Sequence, residues 1–209
     1  MDIHVWLAFV AASILLLALP GPTVLMVLSY ALSQGRRVAL AMVAGVALGD
    51  LLAMSASLLG LGALMAASAT LFTIFKVIGG LYLLWLGFRL LREPPAVLRP
   101  EAEEAPPMAP GRIFGHAALV TALNPKSIAF FVAFVPQFLS PAAPVAPQAA
   151  ILIATFVGLA AVNSLLYALL ADGVRTRLAR PRLLLWVSRA GGAALMAMGL
   201  LTLNLKRAA

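Results

Sequence analysis

Long apolar runs bounded by charged residues or by Pro and Gly clusters recur along the chain at about residues 4–33, 38–60, 70–91, 113–139, 148–171 and 183–205. Each is long enough for the roughly 20 apolar residues that carry an α-helix across the hydrocarbon core. The pattern predicts an all-α integral membrane protein with six transmembrane helices. The first and fourth runs are interrupted near their centres, by Pro20-Gly21-Pro22 and by Asn124-Pro125-Lys126. Pro20 and Pro22 each remove a helix donor and clash with the preceding turn, while Gly21 lets the chain bend or a ligand approach the backbone. Asn124, held before Pro125, is biased away from helical geometry and brings both a donor and an acceptor. Lipid satisfies no freed amide or carbonyl, so such breaks must face protein or a water-filled cavity. Helices 1 and 4 are therefore expected to be discontinuous, with half-helix ends and their partial charges facing a binding site near the midplane. A pair of plain packing kinks is the simpler alternative.

The runs fall into two halves of three, about 1–91 and 113–209, joined by a linker over about 92–112 that is rich in Pro and Glu. The halves share more than their breaks. Gly45 precedes Asp50 by five residues as Gly158 precedes Asn163, and Gly79-Gly80 with Gly87 matches Gly191-Gly192 with Gly199. Motif pairs in the same order suggest an internal duplication within one transmembrane domain. Three spans per half make the halves an inverted 3+3 repeat, the arrangement that alternating access exploits.

Composition agrees with this reading. Of 209 residues, 63% are hydrophobic and 11% charged, and the mean hydropathy is +1.04, well beyond soluble usage. The net charge of +8 lies in loops beside apolar runs, as orientation signals and contacts to anionic lipid do, and does not point to nucleic acid. Arg36, Arg37, Arg89, Arg92, Arg99, Arg112, Arg175, Arg177, Arg180, Arg182 and Arg189 flank alternate loops, whereas 61–69 and 140–147 carry no charge. The positive-inside rule then places both termini outside, in the periplasm for a multi-pass protein of a bacterial inner membrane, with Lys206 and Arg207 as contrary residues. The first run has Asp2 and no basic residue before it, so it is expected to be a retained helix rather than a signal peptide. Cysteine is absent, which excludes disulfides and thiol chemistry. His4 and His116 have no partners at metal-ligand spacing, so neither a metal nor another cofactor is expected.

The ionisable side chains well inside the runs are Asp50, Lys76 and Lys126. Charge at that depth is a functional candidate: it must face a cavity, pair with an opposite charge, or, for a carboxyl, hold a proton. Asp50 is thus a candidate proton carrier and Lys126 its partner, with a purely structural Asp50–Lys126 ion pair as the alternative. Asn163, the repeat mate of Asp50, has an amide that can bind substrate or the other half. Lys76 is near enough to a span end to snorkel. The paired Gly residues allow close helix approach. Trp6, Tyr30, Tyr82, Trp85, Tyr167 and Trp186 fit interfacial anchoring at least as well as ligand contact. No Ser-His-Asp ordering, zinc spacing or phosphate loop is present, so an enzyme is not expected.

Taken together, the six runs, Pro20-Gly21-Pro22, Gly45 to Gly49-Asp50, Asn124-Pro125-Lys126 and the paired Gly of the third run resemble the lysine exporter (LysE) family, in particular its homoserine and threonine exporter (RhtB-type) branch. The resemblance covers nearly the whole chain. It implies an inner-membrane secondary transporter that exports amino acids or close derivatives, driven by the proton gradient. The family's motif positions correspond to Pro20, Gly21, Pro22, Gly45, Gly49, Asp50, Asn124, Pro125 and Lys126. An exporter of an inorganic ion or a small organic acid on the same scaffold is the alternative, and a homodimer is among the assemblies the pattern allows. A divalent cation is disfavoured, because a single carboxylate supplies too few oxygen ligands.

Overall fold

The computed structural model describes residues 1–19, 21–34, 38–92, 108–140, 142–171 and 181–204. Pro20, Arg36, Arg37, the linker from 93 to 107, the basic residues from 175 to 180, and Lys206 and Arg207 lie outside the described residues. The described chain is all-helical. Helices α1 (Ile3–Ala18) and α2 (Pro22–Gln34) flank the first break and are bent by 56°. They are followed by α3 (Ala39–Ala67) and α4 (Ala69–Arg92). Helix α5 (Pro110–Ala122) leads to the second break, after which α6 (Pro125–Ala129) continues as a π-helical turn, Phe130–Phe134, and a 3-10 turn, Val135–Phe138. The bend at this second break is 41°. Helices α7 (Val145–Leu169) and α8 (Pro181–Asn204) complete the fold. Among the described residues, four helices are long and apolar enough to cross a membrane, and the two bent pairs, each counted as one span, bring the number to six.

Local chemistry explains the ends that shape the breaks. Asp2 caps α1, its carboxylate accepting from the amides of His4 (2.8 Å) and Val5 (3.3 Å). Asn124 caps α6 by accepting from the Lys126 amide at 3.1 Å, with Pro125 at the helix start, where a missing amide costs nothing. Gln148, only 3% exposed, holds the turn before α7. It donates to the carbonyls of Ser140, Ala143 and Pro144 and accepts from the Ser140 amide. Large apolar side chains such as Leu40, Leu59 and Trp186 face outward, as lipid contact requires.

Glycines set the helix pairs. A Cβ on Gly49 would lie 2.6 Å from the Ala118 carbonyl oxygen and 2.7 Å from the Thr121 Cβ, and one on Gly45 would meet the Phe114 carbonyl oxygen. Helix α3 therefore packs backbone to backbone on α5 through these two positions. In α4 and α8, a Cβ on Gly87 would lie 2.5 Å from the Gly192 oxygen and one on Gly192 would lie 2.6 Å from the Gly87 oxygen. One turn-pair away, a Cβ on Gly199 would lie 2.8 Å from the Gly80 oxygen. Gly80 meets Gly199 while Gly87 meets Gly192, so the two helices run antiparallel with small residues at both crossings. Gly191 departs from this role: it forms a notch for the Leu19 side chain at the first break. Gly158, the sequence mate of Gly45, has open space around it and mediates no comparable approach.

Candidate functional site

A helix leaves its last carbonyls without intrahelical partners. At the broken end of α1 the Leu16 carbonyl accepts the Leu19 amide at 3.3 Å, and side chains from the second half of the chain reach it and the carbonyls of Leu17, Ala18 and Leu19. The Lys126 ammonium donates to Leu16 at 2.9 Å and to Leu19 at 3.0 Å. Asn163 Nδ2 donates to Leu17 at 3.2 Å, and the Tyr167 hydroxyl donates to Ala18 at 3.2 Å. Asn163 and Tyr167 lie four residues apart and so share a face of α7. The cationic Lys126 side chain also faces the partially negative end of the α1 dipole.

The other side of the junction is tied by uncharged groups. Asn124 Nδ2 donates to Thr23 Oγ1 at 3.2 Å, and Thr23 Oγ1 lies 3.4 Å from Thr121 Oγ1. Thus the Asn124 side chain caps its own helix with its oxygen and holds the start of α2 with its nitrogen. The close packing of Gly49 on Thr121 sets Asp50, one residue later, beside this network.

Between these groups is a cavity of about 20 Å³, lined among others by Leu16, Gly21, Thr23, Asp50, Asn124, Lys126, Asn163 and Ser164. That is room for about one water molecule. Asp50 is 2% exposed and lies within Coulombic reach of Lys126. Among the described residues, no hydrogen bond or ion pair reaches its carboxylate. Asp50 and Lys126 therefore interact through space without a direct hydrogen bond. The lysine is bound to backbone carbonyls, and the carboxylate faces the cavity.

Of the residues singled out from sequence, Gly21, Asp50, Asn124, Lys126 and Asn163 come together around this cavity. Pro22 and Pro125 open the adjoining half-helices without lining it. Gly45 and Gly49 act one layer back, where they seat α3 on α5. Lys76 is on α4, away from the cavity lining. Sequence reasoning missed Thr121, Ser164 and the inward role of Tyr167. Spacing carried a signal for each: Thr121 is three residues before Asn124, Ser164 follows Asn163, and Tyr167 is one turn beyond Asn163.

Phe9, Phe130, Phe131, Phe134, Phe138 and Phe156 form an aromatic cluster of mostly edge-on and tilted rings, with centroids 4.8 to 6.4 Å apart. The π-helical turn that carries three of these rings is a device commonly found at functional sites. Beside these, Tyr30 Oη lies 2.8 Å from His116 Nδ1, joining α2 to α5. Among the described residues, no group of three or more His, Cys, Asp or Glu is placed to hold a metal ion.

Residues 14–205 match the family described as LysE type translocator. A protein of Vibrio cholerae named uncharacterized membrane protein is 32% identical over 207 residues, covering 99% of this chain and all of that one. Homoserine/homoserine lactone efflux proteins of Salmonella typhimurium and Salmonella typhi are 32% and 31% identical over 204 residues, covering 97% of this chain and 98% of each. No solved structure matches the chain.

Proposed function

The chain belongs to the LysE type translocator family, a family of transporters rather than enzymes, and from that premise we propose that it exports a small amino acid or a close derivative across the bacterial inner membrane in exchange for protons. The observation that carries this reading is Asp50: a carboxyl group 2% exposed, without a hydrogen-bond partner among the described residues, lining a cavity where two broken helices meet. Intramembrane carboxylates in such positions mark proton relays and substrate paths, and discontinuous helices mark the substrate sites of secondary transporters.

The substrate class follows from the relatives and from the groups in the cavity. Homoserine and its lactone, which appear in the names of the Salmonella relatives, share a primary ammonium group, whereas only homoserine has a free carboxylate. A site that handles both must read the ammonium. The backbone carbonyls at the end of α1 and the Asp50 carboxylate are acceptors suited to that charge.

Two features support alternating access. The cavity holds about one water, so it must widen to admit an amino acid. The reciprocal contacts Gly80–Gly199 and Gly87–Gly192 exchange under a two-fold axis that relates antiparallel α4 and α8, which supports an inverted 3+3 repeat whose halves rock about the cavity. Positive charge on alternate loops supports termini on the periplasmic side.

The test is transport of a labelled panel by purified protein in proteoliposomes under an imposed pH gradient, comprising homoserine, its lactone, threonine, a small organic acid and a monovalent cation. Gradient-driven movement of an ammonium-bearing panel member is the expected result. Movement only of the organic acid or the inorganic ion, or of nothing, by folded protein would overturn the reading.

A further inference from the structure

Lys126 occupies a site that has the chemistry of a ligand site. Its ammonium bridges the Leu16 and Leu19 carbonyls at 2.9 and 3.0 Å, at the negative end of α1. It is admitted by the missing side chain of Gly21, where a Cβ would lie 3.3 Å from Nζ. We propose that this carbonyl pair is the binding site for the substrate's ammonium group, and that Lys126 is a tethered stand-in which the substrate displaces. The inference rests on the export reading and adds to it the group recognised and the residue that competes.

Three observations carry it. The acceptors are backbone atoms fixed by the break, so they are present whichever cation holds them, and they require N–H donors, which a primary ammonium has and a quaternary one lacks. Lys126 bears its charge on a flexible four-carbon stem, so it can leave without unfolding α6. A second partner for it is already in place, because the buried Asp50 carboxylate faces the same cavity with no hydrogen bond among the described residues. When a substrate ammonium takes the carbonyls, Lys126 moves onto Asp50, and each positive charge keeps a negative or carbonyl partner. Movement of the side chain also clears space in a cavity of about 20 Å³ that otherwise holds no more than about one water. An empty transporter thereby keeps its buried carbonyls paired, and the tethered amine sets a selectivity for primary amines over organic acids.

The test uses purified Lys126→Ala in detergent, titrated with butylammonium, which replaces the deleted amine and its stem, and with tetramethylammonium and butanol as controls. The expected result is a saturable rise in melting temperature of roughly 3 to 6 °C at ten times the Kd, seen with butylammonium and not with the controls, and smaller at the same concentration in the wild type, where the tethered amine competes. No saturable rise in the variant, or an equal rise in the wild type, overturns the proposal. If Lys126→Ala does not survive extraction, Lys126→Met titrated with methylammonium decides it by the same criteria. Failure here is separable from failure of the export reading. Butylammonium binding by the variant with no amino-acid transport by the wild type keeps the cation site and removes amino-acid export; transport without binding does the reverse.

Discussion

Replacing Gly87 by Ala tests the helix contact on which the two halves meet. The added methyl would lie 2.5 Å from the Gly192 oxygen, 2.7 Å from Met196 Cγ and 2.8 Å from Met196 N. Ordinary contact begins near 3.4 Å, so the backbones of α4 and α8 must separate by roughly 0.9 Å. A gap of that size forfeits about a quarter to a half of the dispersion attraction between facing atoms. Two of the three atoms met are backbone, so rotamer changes cannot relieve the overlap, and overpacking of this kind costs about 1 to 3 kcal/mol. At roughly 2 to 4 °C per kcal/mol for a chain of this size, the melting temperature in detergent should fall by roughly 2 to 12 °C. Gly192→Ala should fall comparably, because its methyl would meet the Gly87 oxygen at 2.6 Å. The internal control is Gly60→Ala, whose methyl meets nothing within 4 Å and which gains up to about 1 kcal/mol of helix propensity. If Gly87→Ala melts at or above Gly60→Ala, the argument from close backbone approach fails.

Asn124→Ala removes both a helix cap and the bond to Thr23; a destabilisation of about 1 to 2 kcal/mol with a fall in transport rate is expected, read by melting and by proteoliposome flux. An unchanged rate would deny the break its role. Tyr167→Phe removes one oxygen and leaves the Ala18 carbonyl without its side-chain donor, for an expected loss of about 0.5 to 1.5 kcal/mol. A hydroxyl that serves only as an interfacial anchor would give no change in flux, so a drop in flux with little loss of melting temperature supports its place at the α1 end.

What could be read from the sequence were the features whose physics is local. A proline in the interior of an apolar run removes a helix hydrogen bond and clashes with the preceding turn wherever the helix lies, so both breaks were legible. A carboxylate in such a run is costly in any fold, which made Asp50 legible as well. The partners were not legible. Nothing near Lys126 in sequence says that its ammonium is held by carbonyls more than a hundred residues earlier rather than by Asp50. Tyr167 has the composition of an interfacial anchor and the position of a cap. The glycines show the limit of motif matching. Gly45 and Gly158 correspond in the two halves, yet the first is pressed against α5 and the second stands free. Gly191 matches Gly79 by order but accepts Leu19, a contact set by tertiary packing alone.

The central claim is that Asp50 couples proton movement to export through the cavity at the two breaks. The most direct test compares wild type and Asp50→Asn in proteoliposomes in two modes: accumulation driven by a pH gradient, and exchange of labelled for unlabelled substrate with no gradient. The account predicts that the variant, folded by its melting curve, loses gradient-driven accumulation while retaining exchange. Gradient-driven accumulation at the wild-type level by Asp50→Asn would contradict it.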